Sequence, residues 1–112
     1  MLFRSAIGFF ADGKLKRLDL AGGTLQVLAD APLGRGGTWN RDGVIVFGQA
    51  TPGALMRVMA TGGSPVPLTR VTAGQGSHRW PQFLPDGRRV LFLVTLGQPQ
   101  THGVYEIGRA HV

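Results

Sequence analysis

Two stretches of this chain match each other 40 residues apart: residues 15–28 align with residues 55–68, with five identical positions at a constant offset. A second match, at an offset of 44, aligns residues 39–43 with residues 83–87, and each copy has an aromatic residue three positions before an Asp-Gly pair. A chain with such repeats folds into a succession of similar units, each packed on the next. The identical pairs of the first match are Leu15/Leu55, Arg17/Arg57, Gly22/Gly62, Gly23/Gly63 and Leu28/Leu68.

The segments between the glycines and prolines are short and rich in apolar, β-branched and aromatic residues, which is typical of strands. No window carries the apolar stripe of a helix, because prolines interrupt every stretch that is long enough. The runs 44–47 and 90–94 are continuously apolar, so we expect both strands to be buried on both faces. Strands are predicted at residues 2–11, 15–20, 24–28, 37–39, 44–47, 55–60, 66–69, 79–83, 90–94 and 104–107.

A repeat of about 40–45 residues that contains only strands is typical of a β-propeller blade. We therefore predict an all-β fold, a partial β-propeller of about two and a half four-stranded antiparallel blades. Residues 1–33 would supply the last three strands of one blade, 34–73 a complete blade and 74–112 an incomplete blade. Because a propeller needs about 4–8 blades, we interpret the chain as a fragment of a larger protein.

Several residues are assigned to turns and packing. Trp39, Trp80 and Phe83 are large aromatics that we expect to pack between blades. Pro65 and Pro67 flank a strand that we place at a sheet edge, since proline cannot donate to the ladder. Tight turns are predicted at Asp42, Gly43, Gly62, Gly63, Asp86 and Gly87, because aspartate and glycine accept the backbone angles that such turns require.

The charge and composition exclude several classes of function. The formal charge is +6, but the basic residues are scattered and do not interleave with aromatics, so we do not expect a nucleic-acid partner. The chain has no cysteine, which excludes disulfides and thiolate metal sites. No apolar run approaches the ~20 residues that a membrane span needs.

The pattern of titratable residues does not suggest catalysis. His78, His102 and His111 lack the spacing of metal ligands. Three of the six acidic residues precede a turn glycine, and no Gly-x-Ser-x-Gly elbow is present. We therefore predict no catalytic residue, no metal and no cofactor in this chain, and classify it as not an enzyme.

Longer loops usually carry recognition. Four of them are predicted to share the face opposite the tight turns, at residues 30–36, 48–54, 70–78 and 96–103. In the segment 77–80 we favour a structural role, in which Trp80 packs between blades while His78 and Arg79 hydrogen-bond within the loop. The alternative is that His78 and Arg79 form a ligand site in a loop on the propeller face. The candidate partner-binding residues are Arg35, Arg70, Gln75, His78, Arg79 and His102.

The signature of an aromatic-x-x-Asp-Gly, an apolar strand and a strand ending in Gly-Gly resembles the TolB-like, WD-repeat-like propeller repeats of bacterial proteins. It is carried by residues 39–47 with Gly62-Gly63, and by residues 83–94. Residues 36–39 and 77–87 also resemble the propeller of receptor-like bacterial serine/threonine protein kinases, in which a membrane span joins an N-terminal kinase domain to a C-terminal propeller.

The resemblance implies a non-catalytic piece of a sensing or protein-interaction domain, in a signalling parent whose propeller lies outside the cytoplasm. Its implied partners are the remaining blades and a protein or small-molecule ligand of the propeller face. Two alternatives stay open: the substrate-filtering propeller of a serine peptidase with an α/β-hydrolase domain, and a TolB-like periplasmic accessory protein. Residues 106–112 resemble the conceptual translation of a sequencing adapter, and we interpret that tail as an artefact.

Overall fold

Three antiparallel sheets organise the computed structural model, which describes residues 1–50 and 53–108. In each sheet, strands that follow one another along the chain lie side by side. The fold is all-β, as predicted, and the only helical segment among the described residues is a 3-10 turn at Pro99–Thr101. That turn is far too short to cross a membrane.

The strands divide evenly along the chain. The first sheet contains β1 (Leu2–Phe3), β2 (Ala6–Ala11), β3 (Lys14–Asp19) and β4 (Leu25–Asp30). The second sheet contains β5 (Gly34–Trp39), β6 (Val44–Gln49), β7 (Met56–Met59) and β8 (Val66–Pro67). The third sheet contains β9 (Gln75–Phe83), β10 (Val90–Gly97) and β11 (Gly103–Ile107).

The second sheet lies between the other two and shares a core with each. Leu15 of the first sheet packs with Ile45 and Phe47 in one core, and Val46 packs with Phe92 of the third sheet in the other. All six residues of β6 are buried, because its alternate side chains enter opposite cores. The prediction that residues 44–47 form a strand buried on both faces is confirmed.

The first sheet corrects the predicted strand count. Residues 2–11 were expected to form one strand, but they form β1 and β2, which pair with each other across a turn at Arg4 and Ser5. Arg4 turns the chain with a φ of 54°, in the left-handed region. The first sheet therefore has four strands, and the prediction of three was wrong.

The third sheet corrects a prediction about burial. Only alternate residues of β10 are buried, namely Val90, Phe92 and Val94, while Leu91 and Leu93 are half-buried. The run is continuously apolar, as in β6, but among the described residues the third sheet packs against a neighbour on one face only. The prediction that residues 90–94 are buried on both faces was therefore wrong.

Two loop boundaries also differ from the prediction. β5 begins at Gly34 and β9 at Gln75, so Arg35 and residues 75–78 lie in strands rather than in loops. The edge position of β8 agrees with its prolines. Part of the predicted loop at 48–54 and the end of the predicted artefact tail, residues 109–112, lie outside the described residues.

The connections separate into two groups, at opposite ends of the strands. We call the turn end the side formed by residues 4–5, 20–24, 40–43, 60–65 and 84–89. We call the loop end the side formed by residues 12–13, 31–33, 68–74 and 98–102. Backbone hydrogen bonds join neighbouring connections at the loop end, for example from Ala31 N to the Gly13 carbonyl at 2.8 Å.

Candidate functional site

His78 is an internal clamp rather than an exposed partner-binding residue. It is 2 % exposed, and its ring lies 4.9 Å from that of Phe92. Its Nε2 lies 2.7 Å from Gln75 Oε1, and its Nδ1 lies 2.8 Å from Thr69 Oγ1. The Gln75 oxygen can only accept, so Nε2 carries the proton and Nδ1 accepts from the Thr69 hydroxyl. His78 therefore hydrogen-bonds locally, as the favoured interpretation expects, but from β9 and not from a loop, and its burial removes it from the residues that a partner can reach.

The clamp holds the loop-end segment 68–74 against β9. Thr69 Oγ1 accepts a hydrogen bond from Leu55 N at 2.9 Å, so the hydroxyl joins two connections to the histidine ring. Gln75 Oε1 also accepts from Thr72 N at 3.2 Å. Burial lowers the pKa of His78 from its ordinary value of 6.5, because the apolar surroundings disfavour the charged ring. Sequence reasoning missed Thr69, which no motif distinguishes from other loop threonines.

Arg35 and Arg79 are brought together by two edge strands. β5 lies at one edge of the second sheet and β9 at one edge of the third, and these two strands pack against each other. Gly48 of β6 sits between them: a Cβ there would lie 2.8 Å from the Arg35 carbonyl oxygen and 3.1 Å from the Arg79 Cα. Only glycine admits so close an approach of three backbones. We call Arg35 and Arg79 the edge arginine pair.

Both guanidinium groups point toward the loop end. Arg35 Nη1 donates to the carbonyls of Leu33 and Gly34 at 3.3 and 3.2 Å, at the start of β5. Arg79 Nε and Nη2 donate to Ser77 Oγ at 3.2 and 3.1 Å, two residues back along β9. The remaining N–H groups of both side chains have no hydrogen-bond acceptor among the described residues.

The charge of the pair is not neutralised by a carboxylate among the residues that the structure describes. No acidic residue occurs between Asp42 and Asp86 in the sequence. Among residues 1–50 and 53–108, neither arginine of the pair forms an ion pair with a carboxylate. Both lysines of the chain, in contrast, are paired: Lys14 with Asp30, and Lys16 with Asp12 at 3.0 Å. The uncompensated positive charge of this end therefore rests on arginines.

Trp80 is exposed, not packed between sheets as predicted. Its side chain is 55 % exposed and its φ is 55°, which is rare for a bulky residue. One side of the ring lies on β5, where a Cβ at Gly36 would come within 2.6 Å of Trp80 Cε3. β9 loses its regular register with β10 at this point, and such an irregularity re-aims a side chain. The ring thus lies on β5 at Gly36, the neighbour of Arg35 in the sequence, and more than half of its surface is exposed.

Arg70 and His102 also lie at the loop end, but the contacts given below do not join them to the edge arginine pair. Arg70 is exposed on the segment 68–74 and lines an open depression of about 560 Å³, together with Pro67, Leu68 and Val71. His102 is exposed, and its Nε2 lies 2.6 Å from the Leu96 carbonyl, within its own hairpin. Of the six predicted partner residues, the structure therefore joins Gln75 with His78 and Arg35 with Arg79.

A smaller cavity of about 260 Å³ opens at the turn end between the first and second sheets. Two arginines line it. Arg17 donates to Asp19 Oδ1 at 2.8 Å and to the Ala60 carbonyl at 2.8 Å, and the Arg4 guanidinium lies over the Phe3 ring at 5.2 Å. Trp39 packs here between the Phe3 ring, 5.5 Å away, and the Arg17 guanidinium, 5.3 Å away. This cavity therefore serves packing between the sheets. The identity of Arg17 and Arg57 in the repeat was the signal that could have found the Arg17 contact.

Comparisons with protein-family models and with curated proteins found no match to this chain. No group of three or more histidine or acidic residues within 1–50 and 53–108 is placed to hold a metal ion. The candidate site is therefore defined by geometry alone: the edge arginine pair, with the exposed ring of Trp80 beside it.

Proposed function

We propose that this chain is a non-catalytic piece of a β-propeller that serves sensing or protein interaction, and that its three sheets are consecutive blades. The observation that carries the proposal is the burial of β6 at every position, between two sheets of the same antiparallel design. Propeller blades pack face to face in this way, and each blade needs a neighbour on both sides.

The repeat pairs support the proposal because they occupy corresponding positions. Leu15 and Leu55 are both completely buried; Leu15 is the second residue of β3, and Leu55 directly precedes β7, the third strand of its sheet. Leu15 contributes to the core between the first and second sheets, and Leu55 to the core between the second and third. Each leucine thus faces the next sheet along the chain, as a propeller repeat requires.

The outer face of the first sheet supports the same proposal. Leu2, Ile7, Leu18 and Leu25 are paired in register across all four strands and so share one face. The opposite face carries Leu15 and packs against the second sheet. Leu2 is 67 % exposed and Leu25 is 54 % exposed. An apolar row of this kind matches the face that a further blade would cover.

The resemblance of residues 77–87 to receptor-like kinase propellers favours a bacterial serine/threonine protein kinase as the parent. Sequencing the genomic locus on both sides of this segment tests the proposal. We expect further repeats of about 40–45 residues with the aromatic-x-x-Asp-Gly signature, and an upstream kinase domain joined by a membrane span. A locus without further repeats would contradict the propeller. A downstream α/β-hydrolase domain would overturn the kinase parent only.

A further inference from the structure

We propose that the edge arginine pair and Trp80 bind an acidic peptide segment in extended conformation. The inference deepens the proposed function, on which it rests, because it names the class of partner that such an interaction domain would take. Three observations carry it: two guanidinium groups that point toward the loop end and form no ion pair among the described residues, an exposed tryptophan ring that lies on β5, and the position of β5 at the edge of its sheet.

The guanidinium groups select the charge of the partner. Arg35 and Arg79 stand at matching positions of the repeat, 44 residues apart, so the fold places them on neighbouring strands. Both side chains have N–H donors without an acceptor among the described residues. Arginine binds a carboxylate through two parallel hydrogen bonds, and such charge-assisted bonds are stronger than neutral ones. An anionic side chain on the partner accepts hydrogen bonds from these donors.

Trp80 selects a partner with apolar side chains as well. More than half of its surface is exposed, and its strained φ holds the ring on β5 at Gly36. Strain of this kind persists where the surrounding structure enforces it, often at a ligand contact. Tryptophan and arginine together are the residues that most often dominate binding interfaces. A partner that covers the ring with an apolar side chain removes this exposed surface from water.

The edge strand β5 selects an extended chain. β5 has a hydrogen-bonded neighbour on one side only within its sheet, whereas the outer edge of β9 is partly used by the chain itself, since His78 N donates to the Gly53 carbonyl at 2.7 Å. An extended peptide can use the backbone groups of such an edge while its side chains reach flanking pockets or charges. A nucleic acid is less well suited, because its sugar-phosphate backbone cannot pair with the amide and carbonyl groups of a strand edge as an extended peptide does.

Fluorescence anisotropy with the full 112-residue chain tests the inference. The probe is a short fluorescein-labelled peptide of alternating glutamate and leucine, and its matched control has glutamine in place of glutamate. We expect saturable binding of the acidic peptide, which weakens as salt is added. We expect no binding of the glutamine peptide. Tighter binding of an oligothymidylate than of the acidic peptide would overturn the proposal, as would no binding of the peptide.

Arg35→Gln and Arg79→Gln are the test variants. Each variant should lower the affinity for the acidic peptide about tenfold, which is the effect of removing one charge-assisted hydrogen bond. Arg88→Gln is the control, because Arg88 is exposed at the turn end and the variant changes the net charge equally. Equal loss of affinity in all three variants would show a non-specific charge effect and overturn the site. Circular dichroism establishes that each variant keeps its strand content.

Two further variants separate contact from charge. Arg35→Lys keeps the charge but loses the two-pronged geometry, so we expect an affinity between those of the original chain and Arg35→Gln. Peptide binding should change the tryptophan emission of the chain, and Trp80→Phe should abolish that change although Trp39 is still present. An emission change that survives in Trp80→Phe would overturn the role of this ring.

The two proposals fail in different ways. If the locus encodes further blades but the acidic peptide does not bind, the class of partner is wrong and the propeller stands. If the peptide binds through Arg35 and Arg79 but the locus encodes no further repeats, the propeller is wrong and the peptide site stands.

Discussion

Single residues at the loop end have roles that their type does not reveal. His78 and Arg79 are neighbours in sequence, but their side chains lie on opposite faces of β9 because successive residues of a strand alternate. His78 faces the core and is held by Thr69 and Gln75, whereas Arg79 reaches along the strand edge to Ser77. One residue therefore stabilises the fold, while the next is available to a partner.

The clamp at His78 predicts a dependence of stability on pH. Its pKa is lowered in the folded chain and near 6.5 in the unfolded chain, so the unfolded chain binds more protons between these two values. The stabilisation is fully present above pH 6.5, and the free energy of unfolding should fall as the pH drops below it. Urea unfolding above and below this pH measures the effect.

The pH dependence of stability is tested with two matched variants, His78→Gln and His102→Gln. The first should lose most of this pH dependence, while the second replaces an exposed histidine of the same end and should keep it. The carboxyl of Asp86 does not confuse the result: backbone amides of Arg88 and Arg89 lower its pKa to about 2, so its own contribution is lost only at much lower pH. If His78→Gln kept the same pH dependence of stability, the proposed contribution of buried His78 to that dependence would be wrong.

Turns and strands at the element scale depend on contacts that cross between sheets. Asn40 caps the turn between β5 and β6, since its Oδ1 accepts from Asp42 N at 3.0 Å and from Val44 N at 2.9 Å. Its Nδ2 donates to the Gly87 carbonyl at 2.8 Å, in the next Asp-Gly turn. The side chain is therefore a link between two successive turns as well as a local cap.

Asn40→Ala should lower the free energy of unfolding by about 1–3 kcal/mol, because it leaves buried backbone groups without partners. Gln100→Ala is the control, since Gln100 is exposed and its amide bonds only to the Gln98 side chain, at 3.0 Å. Chemical denaturation measures both variants. An effect of Asn40→Ala no larger than that of Gln100→Ala would show that the link between the turns contributes nothing to stability.

The apolar strands show how far elements could be predicted from the sequence. β6 and β10 were both predicted as fully buried strands from the same kind of apolar run, and only β6 is one. The residues are equivalent, but the sheets are not, because among the described residues the second sheet has two packed faces and the third has one. Composition predicts that a strand can be buried, while the number of neighbouring sheets decides whether it is.

The whole molecule consists of three layers with an open apolar face on the first sheet. The row of Leu2, Ile7, Leu18 and Leu25 has no covering element among the described residues. Such a row stabilises a protein only when another surface covers it. In isolation, we expect the chain to associate through this face.

Leu25→Lys should reduce that association, because it places a charge in the apolar row at a position that is 54 % exposed. Leu33→Lys is the matched control, since Leu33 is 65 % exposed but lies in the connection between β4 and β5, outside the row. Sedimentation velocity across a range of concentrations measures association. Equal behaviour of the two variants would show that the row is not the associating surface.

The sequence alone determined the all-β class, the turn glycines, the edge position of β8 and the two-sided burial of β6, because these follow from local backbone preference and from repeated side-chain patterns. Only the tertiary structure decided that His78 is buried, that Trp80 is exposed and that Arg35 meets Arg79 beside Gly48. Those outcomes depend on which sheet faces which neighbour and on an irregularity in β9. No single strand carries that information, since it arises only when the strands pack together.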